Sequence, residues 1–208
     1  MSGIDALQSR AEAAHAIVME AGTVARNYFR SKSFDVREKG ANDLVTTADL
    51  AVDSVIRTRL SERFPDDGVF SEESGGDNQD RLWIIDPIDG SGNFARGIAR
   101  FGISIAFRQA GDVELGLVYN VMADEMFVAR RHGGATCNDR PIFVGNATCA
   151  GVGLIEAGYS HRHAMDRYLE ALRAMDSEGY AFCQQGSAAL GLADVACGRL
   201  DGYWELDL

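Results

Sequence analysis

The chain has 208 residues, 20 Lys and Arg against 31 Asp and Glu, a formal net charge of −11, and 46% hydrophobic residues. That composition belongs to a folded globular chain and excludes a disordered one. The acidic balance argues against a nucleic-acid partner, which needs basic patches to neutralise phosphates, and no apolar run approaches the roughly 20 residues that span a bilayer. The four cysteines, at 137, 149, 183 and 197, form no CxxC pair. Their spacing fits reduced thiols in a cytoplasmic protein better than a zinc knuckle. Asp5, Arg10, Glu12 and Glu20 interrupt the N-terminus, so no signal peptide is expected.

In chain order, the apolar positions Ile4, Leu7, Ala11, Ala14, Val18, Ala21, Ala25 and Tyr28 alternate by three and four, which predicts a packing helix. Residues 34–38 alternate as a strand does. Thr46 with Asp49 three residues later reads as a capping box with Asp in place of Glu. The helix it opens carries Val52, Ile56, Leu60 and Phe64 inward and stops before Pro65. A polar stretch over 65–81 contains Glu72-Glu73. Leu82-Trp83-Ile84-Ile85 then reads as a strand buried on both faces. Strands over 101–108, 113–120 and 125–129 read as an antiparallel meander, with a hairpin turn at Ala110-Gly111-Asp112. After about residue 147 the texture changes. Strands over 152–158, 181–184 and 203–208 alternate with helices over 163–175 and 187–197, which suggests a parallel or mixed sheet.

The chemistry centres on Asp86-Pro87-Ile88-Asp89-Gly90-Ser91. A buried strand delivers Asp86 to its C-terminal end, where open sheets place their ligands. Asp86, Asp89, the Ile88 carbonyl and the Ser91 hydroxyl are hard oxygen donors that suit Mg²⁺ rather than zinc. The same residues also fit a turn whose aspartates cap backbone groups. Glu72 can add a carboxylate to that strand end, and crowded carboxylates need a cation. Asp49 is either a further member of this group or a helix cap. Gly186-Ser187-Ala188-Ala189 opens a helix whose bare N–H groups attract an anion such as phosphate, or simply pack tightly. His161 and His163, two residues apart, point to different faces if helical and fit a solvated helix start better than a metal site. There is no GxSxG, P-loop or GxGxxG.

These pieces, in this order, resemble the inositol monophosphatase family of Mg²⁺-dependent, lithium-sensitive sugar phosphatases. The matching blocks are Asp43-Leu44-Val45-Thr46-Thr47-Ala48-Asp49, Glu72-Glu73-Ser74, and the run from Trp83 through Asp86-Pro87-Ile88-Asp89-Gly90-Ser91 to Phe94. Further blocks start at Gly116, Asp124, Gly186 and Asp201. The resemblance implies a layered α-β-α-β sandwich, with an antiparallel N-terminal sheet and a mixed C-terminal one. It divides the chain into an N-terminal α+β half, 1–145, carrying the metal site, and a C-terminal α/β half, 146–208. It implies hydrolysis of inositol monophosphate or a similar polyol phosphate, directly to water. Sister specificities are histidinol phosphate, fructose 1,6-bisphosphate or a nucleotide 3′-phosphate; a catalytically impaired metal-binding remnant is the alternative outside the enzymes.

By the same resemblance, Glu72, Asp86 and the Ile88 carbonyl are ligands of a first Mg²⁺, and Asp86 and Asp89 of a second. Glu72 also helps to hold a third, weaker ion. Asp49 and Ser91 orient and deprotonate the attacking water; the family usually has Thr where Ser91 stands. The Gly90 and Ser91 N–H groups cradle the phosphate, Lys39 is a basic residue near the site, and Gly186, Ala188 and Glu205 contact sugar hydroxyls. A homodimer in the cytoplasm is implied. The family's second metal takes another Asp, in a Trp-Asp pair beyond Leu208, so the C-terminal half is expected to be shorter than the family's, and Asp207 aligns with a non-ligand position.

Overall fold

The computed structural model describes residues 3–40, 43–76, 79–146, 153–159 and 164–206. His161, His163, Cys149 and Asp207 lie outside them, as do the side chains of Ile4 and Lys39.

The N-terminal stripe forms helix α1, Gly3–Ser31. Its Ala11, Ala14, Val18, Ala21 and Ala25 are buried, as their spacing requires. Helix α2, Thr47–Arg63, begins at the capping box and buries Val52, Ile56 and Leu60. Small residues on α1 let it approach closely: a Cβ on Gly22 would stand 2.4 Å from the Tyr119 ring. Between α1 and α2 runs a short ladder, β1 (Val36–Gly40) with antiparallel β2 (Asp43–Thr46).

Seven strands make the main sheet: β3 (Gly68–Ser71), β4 (Arg81–Asp89), β5 (Gly102–Gln109), β6 (Asp112–Asn120), β7 (Glu125–Arg130), β8 (Gly134–Cys137) and β9 (Arg140–Pro141), in that spatial order. Trp83 and Ile85, then Ile103, Ile105 and Phe107, then Leu115, Leu117 and Tyr119 are buried every second residue, and they share one core with α1 and α2. Ile84 remains partly exposed, so β4 is fully buried on the α1/α2 face rather than on both. The β5–β6 turn has two residues, Ala110 (φ 52°) and Gly111 (φ 87°), and both positive φ values suit the right-handed twist of a hairpin. Asp67, just before β3, ties two other elements to it: Arg10 of α1 donates to it with bonds of 2.9–3.2 Å, and from β4 Arg81 lies 3.0 Å away and the Trp83 indole donates at 3.3 Å.

The C-terminal half supplies β10 (Leu154–Ala157), α4 (Met165–Ser177), β11 (Ala181–Cys183), α5 (Ala188–Ala196) and β12 (Gly202–Trp204), with the sheet ordered β11-β10-β12. Helix α5 touches β5 and β6 on one side and β12 on the other. Its Leu190 meets Gly102, whose side of β5 is opposite to that of Ile103 and Ile105. The order is therefore α1/α2, large sheet, α5, small sheet: the α/β layering that was expected.

Strand directions differ from expectation in two places. The large sheet is not wholly antiparallel, because β3 runs parallel to β4. The C-terminal sheet is not mixed among the described residues, since β10 pairs parallel with both β11 and β12. In each case a crossover returns the chain to the same end of its partner, and only a long connection permits that.

Candidate functional site

The site is built where β4 ends. Between Asp86 and Asp89 the β4–β5 register slips, so the two aspartates do not simply alternate across the sheet. Gly90 follows with φ 96° and caps a six-residue helix, α3 (Ser91–Arg96), for which the sequence carries no expectation. A Cβ on Gly90 would stand 3.0 Å from the Gly186 carbonyl oxygen, so the two glycine-bearing loops abut. Asn93 clamps them. Its amide donates to the Arg100 carbonyl and to the Gln185 carbonyl, both at 2.8 Å.

Asp49 is fully buried and uses both oxygens. Oδ2 accepts from the Thr46 N–H at 2.8 Å and the Thr46 hydroxyl at 2.6 Å, completing the capping box. Oδ1 accepts from the Ser91 hydroxyl at 2.9 Å. The two readings of Asp49 are therefore one geometry: the carboxylate caps α2 with one oxygen and meets Ser91 with the other. Burial pushes its pKa up, against the pull of the Thr46 and Ser91 hydrogen bonds. The Ser91 hydroxyl also lies 2.9 Å from the Ile88 carbonyl, so its single proton has two acceptors.

Asp86 carries the strongest electrostatic load. Its pKa is pushed well up, first by burial and then by the charges of Asp89, Glu72 and Asp49; the Ile88 N–H opposes this. The charges that move it are all carboxylates, so like charges oppose one another at this end of β4. Asp89 is also raised by burial, although hydrogen bonds from Ser187 and the α5 backbone lower it. Glu72 is exposed in a closed loop, where Ser71 and Gly75 exchange backbone hydrogen bonds at 3.0 and 2.8 Å. The Glu72 N–H donates to the Ile85 carbonyl at 3.2 Å and so fixes the loop to β4.

The start of α5 is already taken by an anion of the chain's own. Asp89 accepts from the Ser187 hydroxyl, from the Ala188 N–H at 3.3 Å and from the Ala189 N–H at 2.8 Å. From sequence those groups are expected to attract a phosphate. Nothing local pairs Ser187 with Asp89, 98 residues away, although a Ser at a helix start is the usual sign of a capping hydroxyl. Glu205 follows β12, partly buried, and accepts from the Tyr203 hydroxyl. The Tyr203 pKa is raised by burial, then by Glu205, with smaller effects of Glu156 and Asp89, so this pair borders the carboxylate field. A cavity of about 550 Å³ lies elsewhere, between α1 and β7–β8, and no member of the acidic group lines it.

Does this site suit Mg²⁺? Among the described residues, no three Asp, Glu, His or Cys side chains come close enough to hold one ion between them. Each expected ligand set, however, draws on only two carboxylates, with a backbone carbonyl and water completing the shell. The donors are all oxygen, and the mutual repulsion that raises Asp86 is relieved by a cation. The donor chemistry fits.

The comparisons bear on the family and the fold. The model of the inositol monophosphatase family matches residues 6–208. The chain is 38% identical over 198 residues to an inositol-1-monophosphatase of Rhizobium meliloti, covering 92% of this chain and 74% of that protein. It is 35% identical over 190 residues to the Nus factor SuhB of Escherichia coli, covering 89% and 71%. The crystal structure of extragenic suppressor protein suhB from Bartonella henselae superposes with a TM-score of 0.90 at 35% identity, over 95% of this chain and 78% of that one. The inositol monophosphatase from Anabaena gives a TM-score of 0.85 at 33% identity, over 97% and 76%. With the motif order, the layering and both kinds of relative in accord, the chain belongs to the inositol monophosphatase family.

Proposed function

We propose that the chain is a Mg²⁺-dependent phosphate monoester hydrolase acting on inositol monophosphate or a similar polyol phosphate. The observation that carries the reading is the geometry at the end of β4, where the Ser91 hydroxyl donates to Asp49 Oδ1 at 2.9 Å and the Glu72 N–H donates to the Ile85 carbonyl at 3.2 Å, one residue before Asp86. Glu72, Asp86 and the Ile88 carbonyl would hold one ion; Asp86 and Asp89 would hold a second. When bound, Mg²⁺ supplies positive charge against the phosphoryl oxygens and the leaving oxygen.

The chain's own residues do the rest. The Ser91 hydroxyl gives its proton to Asp49 Oδ1 along their 2.9 Å bond, while its oxygen accepts the proton of the attacking water. Burial makes Asp49 a stronger base than an ordinary carboxylate and so favours that direction. The N–H groups of Gly90 and Ser91 cradle the phosphate. Gly186, Ala188 and Glu205 face the alcohol portion, with Glu205 oriented by Tyr203.

A second reading rests on the relatives named Nus factor SuhB at 35% identity, which raise a non-catalytic binding role for the same fold. The Asp49–Ser91 pair favours the enzyme, since a binding module needs no base. We further propose a boundary near residue 145, a homodimer, and a cytoplasmic location; Cys137, Cys183 and Cys197 are free thiols, as a reducing compartment keeps them. Among the described residues no helix is long and apolar enough to cross a membrane. Phosphate release from a panel of monoesters, with Mg²⁺ and with a chelator, tests the central proposal. Release that is absent for every ester, or unchanged by the chelator, refutes it.

A further inference from the structure

Asp53 belongs to none of the roles assigned above. It lies one turn beyond Asp49 on α2 and is 6% exposed. Its Oδ2 accepts from the Ser74 hydroxyl at 2.9 Å, and its Oδ1 is buried with no hydrogen-bond partner among the described residues. A buried carboxylate with half its capacity unused is a costly group to keep for packing alone. One turn further on, Arg57 donates to the Gly75 carbonyl at 2.9 Å. Positions 49, 53 and 57 share a helix face because they are spaced by four. That single face therefore meets Ser91 through its first residue and the Glu72 loop through the other two.

The Glu72 loop needs such a hold. Glu72 is exposed, and its N–H bond to the Ile85 carbonyl at 3.2 Å sets it next to Asp86, whose like charge opposes its own. Before a cation binds, repulsion drives the two carboxylates apart. The backbone bonds at Ser71, Glu72 and Gly75 close the loop and tie its base to β4, but they do not fix its outer side. The Asp53–Ser74 bond does, two residues from Glu72, together with the Arg57 bond to Gly75 and the Glu73 N–H bond to the Ser71 hydroxyl at 3.2 Å.

We propose that Asp53 is a positioning residue: through Ser74 it holds Glu72 against the repulsion of Asp86, so that the first cation meets a preformed pair of carboxylates. This rests on the ligand role given to Glu72 above. Asp53 itself touches neither the ion nor the substrate.

The test uses Mn²⁺ as probe, with the bound fraction read by electron paramagnetic resonance on the full chain, beside a Mg²⁺ titration of phosphate release. Asp53→Ala and Ser74→Ala should each weaken Mn²⁺ binding roughly tenfold, the scale for losing a group that orients a metal ligand. Asp53→Asn, whose amide oxygen still accepts from Ser74, should recover most of that loss. The Asp53→Ala/Ser74→Ala double variant should bind no worse than the weaker single one, because both remove the same contact. kcat at saturating Mg²⁺ should stay within about threefold, the signature of lost ion binding rather than lost chemistry. Ser74 is exposed, so Ser74→Ala decides the matter if Asp53→Ala does not fold. Glu72→Gln is the reference. If Glu72→Gln weakens Mn²⁺ binding and Ser74→Ala does not, the positioning role is wrong and the metal site stands. If Glu72→Gln binds as the unsubstituted chain does, both fall.

Discussion

Replacing Asp49 by Asn separates the two jobs that its side chain holds. As a cap, the residue needs only an acceptor opposite the Thr46 N–H and hydroxyl, now at 2.8 and 2.6 Å. The amide oxygen of Asn can sit there. Its NH₂ then faces Ser91, whose oxygen can accept, while the Ser91 proton turns to the Ile88 carbonyl at 2.9 Å. No buried polar atom is stranded. Exchanging charge-assisted bonds for neutral ones costs about 1 kcal/mol, and removing a buried charge offsets much of it, so stability should change by less than about 1 kcal/mol. As a base, Asn is useless, because it cannot take the proton. The expected loss in kcat is about 10²- to 10⁴-fold. Asp49→Ala should lose the same activity and, in addition, about 0.5–2 kcal/mol of cap. Phosphate release at saturating Mg²⁺ gives the first quantity; urea denaturation in chelator gives the second. If Asp49→Asn keeps kcat within a factor of three while Asp49→Ala loses only stability, Asp49 is a helix cap and the proton must go elsewhere.

Three further outcomes follow from the same geometry. Asp86→Asn should abolish turnover yet raise the stability of the metal-free protein by on the order of 1 kcal/mol, since it removes a buried charge pressed by three others; a lower melting temperature in chelator contradicts this. Activity should fall as pH falls through a value raised from that of an ordinary Asp, because burial raises Asp49 and only its ionised form accepts a proton. Stability runs the other way in that window: the native state binds the proton more tightly than the unfolded chain, so the Asp49 contribution grows as pH falls. The wild-type-minus-Asp49→Asn difference in unfolding free energy measures it, and a flat difference between pH 4 and 7 contradicts the raised pKa. Ser91→Ala should lower kcat by about 10²-fold or more while moving the acid limb further up, because it deletes one of the bonds that lower the Asp49 pKa.

What could be read in the chain beforehand was local. Thr46 and Asp49 are three residues apart, and a capping box is a rule about that spacing. The stripe from Ala11 to Ala25 follows from helical period alone. Asp86 at the end of an apolar run needed only the strand. The remainder depends on contacts between distant segments. Asp49 and Ser91 are 42 residues apart, and nothing in either neighbourhood names the other. The parallel pairing of β3 with β4 depends on the return path between them, and the six residues of α3 are too few to show a period. Order in the family's pattern supplied the Asp49–Ser91 pairing in advance, whereas composition and periodicity could not, and nothing supplied the direction of β3. Glu72 was legible as a carboxylate in a polar loop; the Asp53–Ser74 bond that restrains the loop was not, because a lone Asp on a helix face reads as solvated.

The anion at the start of α5 leads to a last prediction. A helix start with free N–H groups invites a phosphate, but here Asp89 occupies it through Ser187, Ala188 and Ala189. These bonds favour the charged carboxylate and partly cancel the penalty of its burial. They also fix its direction, and a cation ligand whose direction is fixed loses less freedom on binding. Ser187→Ala removes the hydroxyl that bonds Asp89 and also caps α5 through the Leu190 N–H at 3.4 Å. It should therefore act twice. The cap loss should cost about 1 kcal/mol of stability. The loss of orientation should raise the Mg²⁺ concentration for half-maximal activity by roughly tenfold or more. Ser187→Thr keeps the hydroxyl and should restore both. A Mg²⁺ titration of phosphate release for the three proteins makes the comparison. If Ser187→Ala needs no more Mg²⁺ than the wild type, then Asp89 is held by the helix for structure alone, and its place in the second ion's ligand set is wrong. If it needs less, the helix start competes with the cation for Asp89, and the sign of the argument is reversed.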